Sequence, residues 1–406
     1  MGQGAVIFMA KWIKRVLLGI GGLAVIAAIA AFIYREPLER LYRVNTLFSA
    51  ERIVSNFSNM RSMFLADDIA RSGPVFEFGE ARQALPETFA FNGQTLETAA
   101  FLERTKTTSL LVIRNDQIEF EDYFLGTAPE DQRISWSIAK SFLSALIGIA
   151  IDEGAIADLN DPVTKYAPGL KGSAYDGATL RQVAMMSSGV EFNEDYLDFN
   201  SDINKMGRAL ALGGSLDEFS AALSGKAGEP GENWRYVSID THVLGMALRG
   251  ATGQSVSDYM ASKLWSKIGV EADAYYTTDG EGAAFVLGGL NMRTRDYARF
   301  GRLFLNDGNW DGEQVISKSW VRESTSDLAP PPAPTFERGE HYGYQWWLPP
   351  AHDDEFYGIG VYGQYLFIDR KAGVVVVKTS ADRAFRENDG IVQLETIAMM
   401  RAIARP

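Results

Sequence analysis

Hydrophobic positions along this 406-residue chain fall into three patterns. The first is an unbroken run, VLLGIGGLAVIAAIAAFI from Val16 to Ile33, preceded by Lys11, Lys14 and Arg15. As a helix it spans about 27 Å, close to the hydrocarbon thickness of a bilayer. Ala28-Ile-Ala30 resembles a signal-peptide cleavage site, but the run is longer than a usual signal-peptide core, so an uncleaved membrane anchor over 1–35 is expected. Basic residues flank both ends (Arg35, Arg40, Arg43 and Arg52 follow it), so charge sets the orientation only weakly. The body is expected on the extracytoplasmic, periplasmic side.

The second pattern is helical spacing. Leu41, Val44, Leu47, Phe48, Phe57, Met60 and Phe64 predict a juxtamembrane helical segment over 36–73, with the body starting near Pro74. Ser255 to Ile268, Arg293 to Asn306 and Gly390 to Ala404 have the same spacing. The third pattern is short apolar strands. Ser109 to Ile113 and Ile118 to Phe124 flank Asn115-Asp116 as a hairpin, and Tyr365 to Ile368 and Val374 to Thr379 flank a turn near the end. Between them, about 161–244 is loop-rich and helical. Strands at both ends with helices between predict an α+β fold, an α/β sandwich. In it an antiparallel sheet assembled from the two ends of 74–406 is flanked by helices and carries a helical insertion.

Composition narrows the function. A net charge of −13 opposes a nucleic-acid partner, whose phosphates need a basic face. With no cysteine there is no disulfide, thiolate metal site or cysteine nucleophile. The three histidines, His242, His341 and His352, leave a Ser-His-Asp triad few candidates, and no G-x-S-x-G, H-E-x-x-H or Walker-type glycine loop is present.

The candidate chemistry starts in ISWSIAKSFLSAL, 134–146. A lysine, Lys140, sits one turn into an otherwise apolar helix, three residues after Ser137. A serine hydroxyl is a weak nucleophile until a base takes its proton. A lysine can be that base once burial lowers its pKa. The bland alternative is a capped helix with an exposed lysine, which the apolar surroundings oppose. Tyr236, in GENWRYVS, is a second candidate: beside a cationic lysine its pKa can fall and it can relay protons, although a lone tyrosine is usually a buried aromatic. In Gly358-Ile-Gly-Val-Tyr-Gly-Gln364, small residues let a backbone N–H approach a ligand. Alone, that stretch is a turn entering a strand. Trp346 and Trp347 read first as strand-core residues, and MMSSG near Met185 as core and turn.

Together, SWSIAKS (135–141), IGIAIDEGAIADLNDPVTKYAPGL (147–170), TLRQVAMMSSGVEFNEDY (179–196), GENWRYVS (231–238), RTRDYARFGRLFL (293–305) and GIGVYGQYLFID (358–369) resemble the serine β-lactamase and penicillin-binding superfamily. The likeness is to its class C-like serine hydrolases, in the 6-aminohexanoate-dimer hydrolase and carboxylesterase branch. The resemblance implies Ser137 as acylated nucleophile, Lys140 as its base and Tyr236 as the proton donor to the leaving group. It implies the backbone N–H groups of Ser137 and Val361 as an oxyanion hole, with Tyr196, Ser238, Gly358 and Gly360 against the substrate. Gly358-Ile-Gly360 stands where the family often has Lys-Thr-Gly, and Ser238 where class C β-lactamases have Asn, which weakens a β-lactam reading. The expected activity is amide or ester hydrolysis on a small molecule, without metal or organic cofactor. A DD-peptidase or β-lactamase, and a non-catalytic protein of the same fold, are the competing readings.

Overall fold

The apolar runs at 109–113 and 374–377 are too continuous for strands with one wet face, and the computed structural model shows why. It describes all residues except 1–2, 34, 334–338, 352 and 388–389. The runs form β1 (Thr107–Arg114) and β5 (Val374–Ser380), which pair antiparallel at the centre of the main sheet with Val112 opposite Val376. β2 (Gln117–Tyr123) continues the sheet beyond β1, and β4 (Gln364–Asp369) and then β3 (Glu355–Gly360) extend it beyond β5. Successive side chains of a strand point to opposite faces. Leu111, Ile113, Val375 and Val377 therefore enter one core, with Phe142 and Phe300 from the helices Ala139–Asp152 and Thr294–Leu305. Leu110, Val112, Val374 and Val376 enter a second core, with Ile397 and Met400 of the last helix, Ile391–Ala404. Both faces are covered, so both sets of positions are apolar. The sheet is antiparallel except at one edge, where Gly79–Glu80 runs parallel to β2.

A second sheet orders Leu65–Ile69, Ala274–Thr278, Leu290–Met292 and Arg133–Ile134 side by side. The region 161–244 holds short helices and isolated bridges among the described residues, and it ends in the long helix Ser238–Thr252.

The chain divides into two units, 1–47 and 48–406. The first holds the helices Gln3–Ile33 and Arg35–Asn45. Lys11–Phe32 within it is long and apolar enough to cross a membrane, a property signal sequences share. The expectation of one helical segment over 36–73 is corrected. Beyond Asn45 only Ile53–Asn56 and the turn Met60–Ser62 are helical, and Leu65–Ile69 pairs antiparallel with Ala274–Thr278. The compact body thus begins at Phe48 rather than near Pro74. Phe57, Met60 and Met63 are buried, and tertiary packing holds them in turns. Short stretches of turn reproduce helical spacing without a helix.

Candidate active site

The second sheet delivers the chain to Ser137. Ile134 pairs with Asn291, and the Ser135 N–H donates to the Leu290 carbonyl at 2.8 Å. Trp136 then takes a left-handed φ of 45°. For a bulky side chain this is strained, by about 1–3 kcal/mol, and persists only where surroundings impose it. The surroundings are aromatic: the rings of Phe57, Phe48 and Tyr362 lie 5.5, 5.8 and 6.1 Å from that of Trp136. Ser137 follows in the tight turn Trp136–Ile138, directly before the Ala139–Asp152 helix.

Lys140 is buried, 1% exposed. Its Nζ donates to the Leu287 carbonyl at 2.7 Å and lies 5.6 Å from the centre of the Tyr236 ring. Burial brings its pKa down to about 7, against the pull of the Glu194 and Asp240 carboxylates, which favour the ammonium. Tyr236 lies just before the Ser238–Thr252 helix, stacked on Trp347 at 5.4 Å. Its phenol is pushed up, first by burial and then by Glu194, while hydrogen bonds with the Ser137 and Ser238 hydroxyls oppose the rise. The expectation of a depressed tyrosine is therefore reversed. The nearby amine is itself depressed towards neutrality, so no strong cation is left to stabilise a phenolate.

The wall opposite Ser137 is the end of β3 and the turn after it. A Cβ at Gly360 would lie 2.4 Å from the Ser135 carbonyl oxygen, and one at Gly358 would lie 3.3 Å from both Ile138 Cγ2 and Ser141 Oγ. These glycines let β3 lie against the Ser137 turn. The turn is braced from behind, where Gln364 Nε2 donates to the carbonyls of Val361 (3.1 Å) and Ser380 (2.9 Å). Ser137, Tyr236, Tyr196, Gly360 and Val361 line one cavity of about 330 Å³. Gly358 packs behind it, and Ser238 is buried, with its hydroxyl and its N–H both donating to Glu194.

The cavity also has lining residues outside the predicted site set, among them Glu194, Trp347, Phe385 and Arg386. Glu194 accepts from Tyr196 Oη at 2.6 Å as well as from Ser238, so it caps the Ser238–Thr252 helix, where a negative charge is favoured. Trp347 lines the cavity, whereas Trp346 is core, stacked 6.1 Å from Phe300. His242 pairs with Asp217 at 2.8 Å and His341 with Asp327 at 2.7 Å, neither at the cavity, and His352 lies outside the described residues. No cluster able to hold a metal ion occurs among the described residues. Gln345 ties the insertion to the sheet domain. Its carbonyl accepts from Ser141 Oγ (2.8 Å), its Oε1 accepts from Thr241 (2.7 Å), and its Nε2 donates to the Ala184 carbonyl (2.8 Å).

Residues 98–394 match the family model described as Beta-lactamase, most of the chain. The chain belongs to the Beta-lactamase family. Within it, the chain is 35% identical over 295 residues to the 6-aminohexanoate-dimer hydrolase of Paenarthrobacter ureafaciens, covering 69% of this chain and 74% of that one. A solved structure from Bacillus anthracis, provisionally assigned as a 6-aminohexanoate-dimer hydrolase, superposes with a TM-score of 0.78 at 27% identity, over 88% of this chain and 95% of that one. A D-stereospecific amidohydrolase from Streptomyces sp. shares the fold, with a TM-score of 0.56 at 16% identity over 76% and 98% of the two chains. This member of the Beta-lactamase family is a serine hydrolase by descent.

Proposed function

We propose that the protein hydrolyses a linear amide or ester through an acyl-Ser137 intermediate. Ser137 Oγ attacks the carbonyl carbon while its proton passes to neutral Lys140 Nζ, available near pH 7 because burial has lowered that amine. The backbone N–H groups of Ser137 and Val361, on opposite walls of the cavity, receive the oxyanion. Tyr236 keeps its proton until the C–N or C–O bond breaks, gives it to the leaving group, and is reprotonated from the Lys140 ammonium. Water then enters by the reverse path: Lys140 takes its proton through Tyr236, and the acid leaves as Ser137 regains a hydrogen. Tyr196 lies against the substrate, as does Gly360, whereas Gly358 and Ser238 act from behind the wall. No step needs a metal or organic cofactor.

The observation that carries this reading is a buried amine beside the ring of Tyr236, whose phenol meets Ser137, the one serine among the described residues that line the cavity. The named activity of the Paenarthrobacter relative favours a linear amide. Intact mass spectrometry after exposure to esters, amino-acid amides and β-lactams tests it. An acyl adduct from an ester or amide is expected on the native protein and not on Ser137→Ala. Labelling by penicillins alone would sink the amide and ester reading in favour of a penicillin-binding one. We further propose that Val16–Ile33 stays as an uncleaved anchor holding the body outside the cytoplasm. N-terminal sequencing of the mature protein and protease accessibility in spheroplasts test that.

A further inference from the structure

The residues beside both proposed oxyanion donors hold left-handed backbones that bulky side chains avoid. Trp136, whose carbonyl shares a peptide plane with the Ser137 N–H, has a φ of 45°. Tyr362, which follows Val361, has a φ of 64°, and Gly363 after it a φ of 87°. Glycine takes such angles freely, whereas tryptophan and tyrosine do so only under outside constraint. Two rings from the start of the body touch both residues. Phe48 stacks on Tyr362 at 4.8 Å and 17°, and lies 5.8 Å from Trp136. Phe57 meets Tyr362 edge-on at 5.4 Å and Trp136 at 5.5 Å. Phe385 adds a further ring against Tyr362, at 4.8 Å.

The segment carrying the two phenylalanines is tied to the strand that leads into Ser137. The Ile134 N–H donates to the Phe57 carbonyl at 3.0 Å. Arg133 Nη1 donates to the Val54 carbonyl at 2.7 Å and to Ser58 Oγ at 2.8 Å. Arg133 is 1% exposed, and hydrogen bonds to a buried charge are among the strong ones, so they hold the segment firmly. Residues 48–58 lie outside the 98–394 stretch that the family model matches, so this bridge is supplied from beyond the shared domain.

We propose that Phe48 and Phe57 are positioning residues for the oxyanion hole, clamping Trp136 and Tyr362 so that the Ser137 and Val361 N–H groups converge. This rests on the hydrolase reading of the same cavity. Without the clamp, Trp136 relaxes towards an ordinary φ and turns the Ser137 peptide plane, while the hairpin tip carrying Val361 loosens. Substrate binding in the ground state barely senses that change. The tetrahedral intermediate does, because its charge develops on an oxygen held by those two N–H groups.

The test uses the full chain in detergent and measures p-nitrophenyl ester turnover beside inhibition by an alkyl trifluoromethyl ketone. The serine oxygen adds to that ketone's carbonyl carbon and leaves an oxyanion in the hole. Phe48 is 38% exposed, so Phe48→Leu should fold as the native chain does and carries the test. Its kcat is expected to fall about tenfold with KM changed by less than about twofold, and the ketone's Ki to rise as kcat/KM falls. Phe57→Leu, at a fully buried position, should cost about 10²-fold in the same pattern. Phe48→Tyr keeps the stacked ring and should stay near native. Asparagine accepts a left-handed φ more readily than tyrosine, so Phe48→Leu should cost less in a Tyr362→Asn background than alone. A native kcat in Phe48→Leu overturns the proposal while leaving the hydrolase reading intact. So does a loss that falls on KM with the ketone's Ki unmoved, or an equal loss in the two backgrounds. No turnover by the native chain, together with no adduct from a fluorophosphonate, overturns the hydrolase reading itself and this inference with it.

Discussion

Two lysines are buried beside serines in this molecule, and only one belongs to the proposed machinery. Lys140 and Lys378 are each 1% exposed, and burial brings each down to about 7. Lys140 sits one helical turn from Ser137, which is half-buried and faces the cavity. Lys378, on β5, donates to Ser380, which is fully enclosed and whose backbone is clasped on both sides by the Gln364 side chain. The amines are alike; the hydroxyls are not. On the proposed mechanism, a depressed lysine makes a site only where its serine meets open space and an oxyanion wall. Otherwise the same pair is a brace, here behind the turn that carries Val361.

The largest expected effects separate the two serines. Ser137→Ala should lower ester turnover by about 10⁴-fold or more and abolish fluorophosphonate labelling, whereas Ser380→Ala should still be labelled at its single remaining reactive serine. Labelling that survives in Ser137→Ala but not in Ser380→Ala would invert the comparison. Next come the amines. Lys140→Met is expected to cost about 10²- to 10⁴-fold in kcat with the fold retained by circular dichroism, and Lys378→Met less than about tenfold. Equal losses would mean that both lysines act through the fold alone.

Gly360→Ala tests the wall that Ser380 lacks. With a Cβ 2.4 Å from the Ser135 carbonyl, β3 must shift away from the Ser137 turn. A displacement near 1 Å costs about 10²-fold in kcat, with KM changed less. A smaller effect is expected in the pH profile. With neutral Lys140 as the proposed base, kcat/KM should rise through an acid limb near pH 7. The Glu194 charge favours the ammonium, so Glu194→Gln should move that limb to lower pH. A limb that stays in place or rises would detach Glu194 from the base.

Stability gives the smallest signal. A lysine lowered from 10.5 to about 7 is protonated more in the unfolded than in the folded chain between those values. The folded state therefore carries the full penalty below pH 7, and stability rises with pH up to about 10, where the raised tyrosines begin to act in the opposite sense. Lys378→Met removes one such penalty. It should raise Tm by a few degrees at pH 7, about 2–4 °C for each kcal/mol gained, and by less at pH 9.5. Differential scanning fluorimetry at the two pH values is sufficient.

The sequence made some of this plain and hid the rest for physical reasons. The hairpins around 109–124 and 365–379 and the last helix are legible because both sheet faces are covered and the strands are correspondingly apolar. Ser137 and Lys140 are legible because a charge inside an apolar helix must be explained locally. The stretch 48–69 misled, since its helical spacing arises from buried turns and one strand. Trp136's left-handed backbone has no local signature, being imposed by rings from 48, 57 and 362. Glu194, Trp347 and Arg386 come from three distant segments that meet only in the folded cavity. The direction of the Tyr236 shift likewise depends on an enclosure no spacing reveals.

The close approach permitted at Gly358 and Gly360 has a consequence for timing. Serine and amine are encoded near residue 140, but the face that would hold the developing negative charge arrives some two hundred residues later. It is secured only when β5 docks on β1. On the proposed mechanism, a chain still emerging from the ribosome thus carries an unarmed hydroxyl, and hydrolytic competence is switched on by completing the sheet.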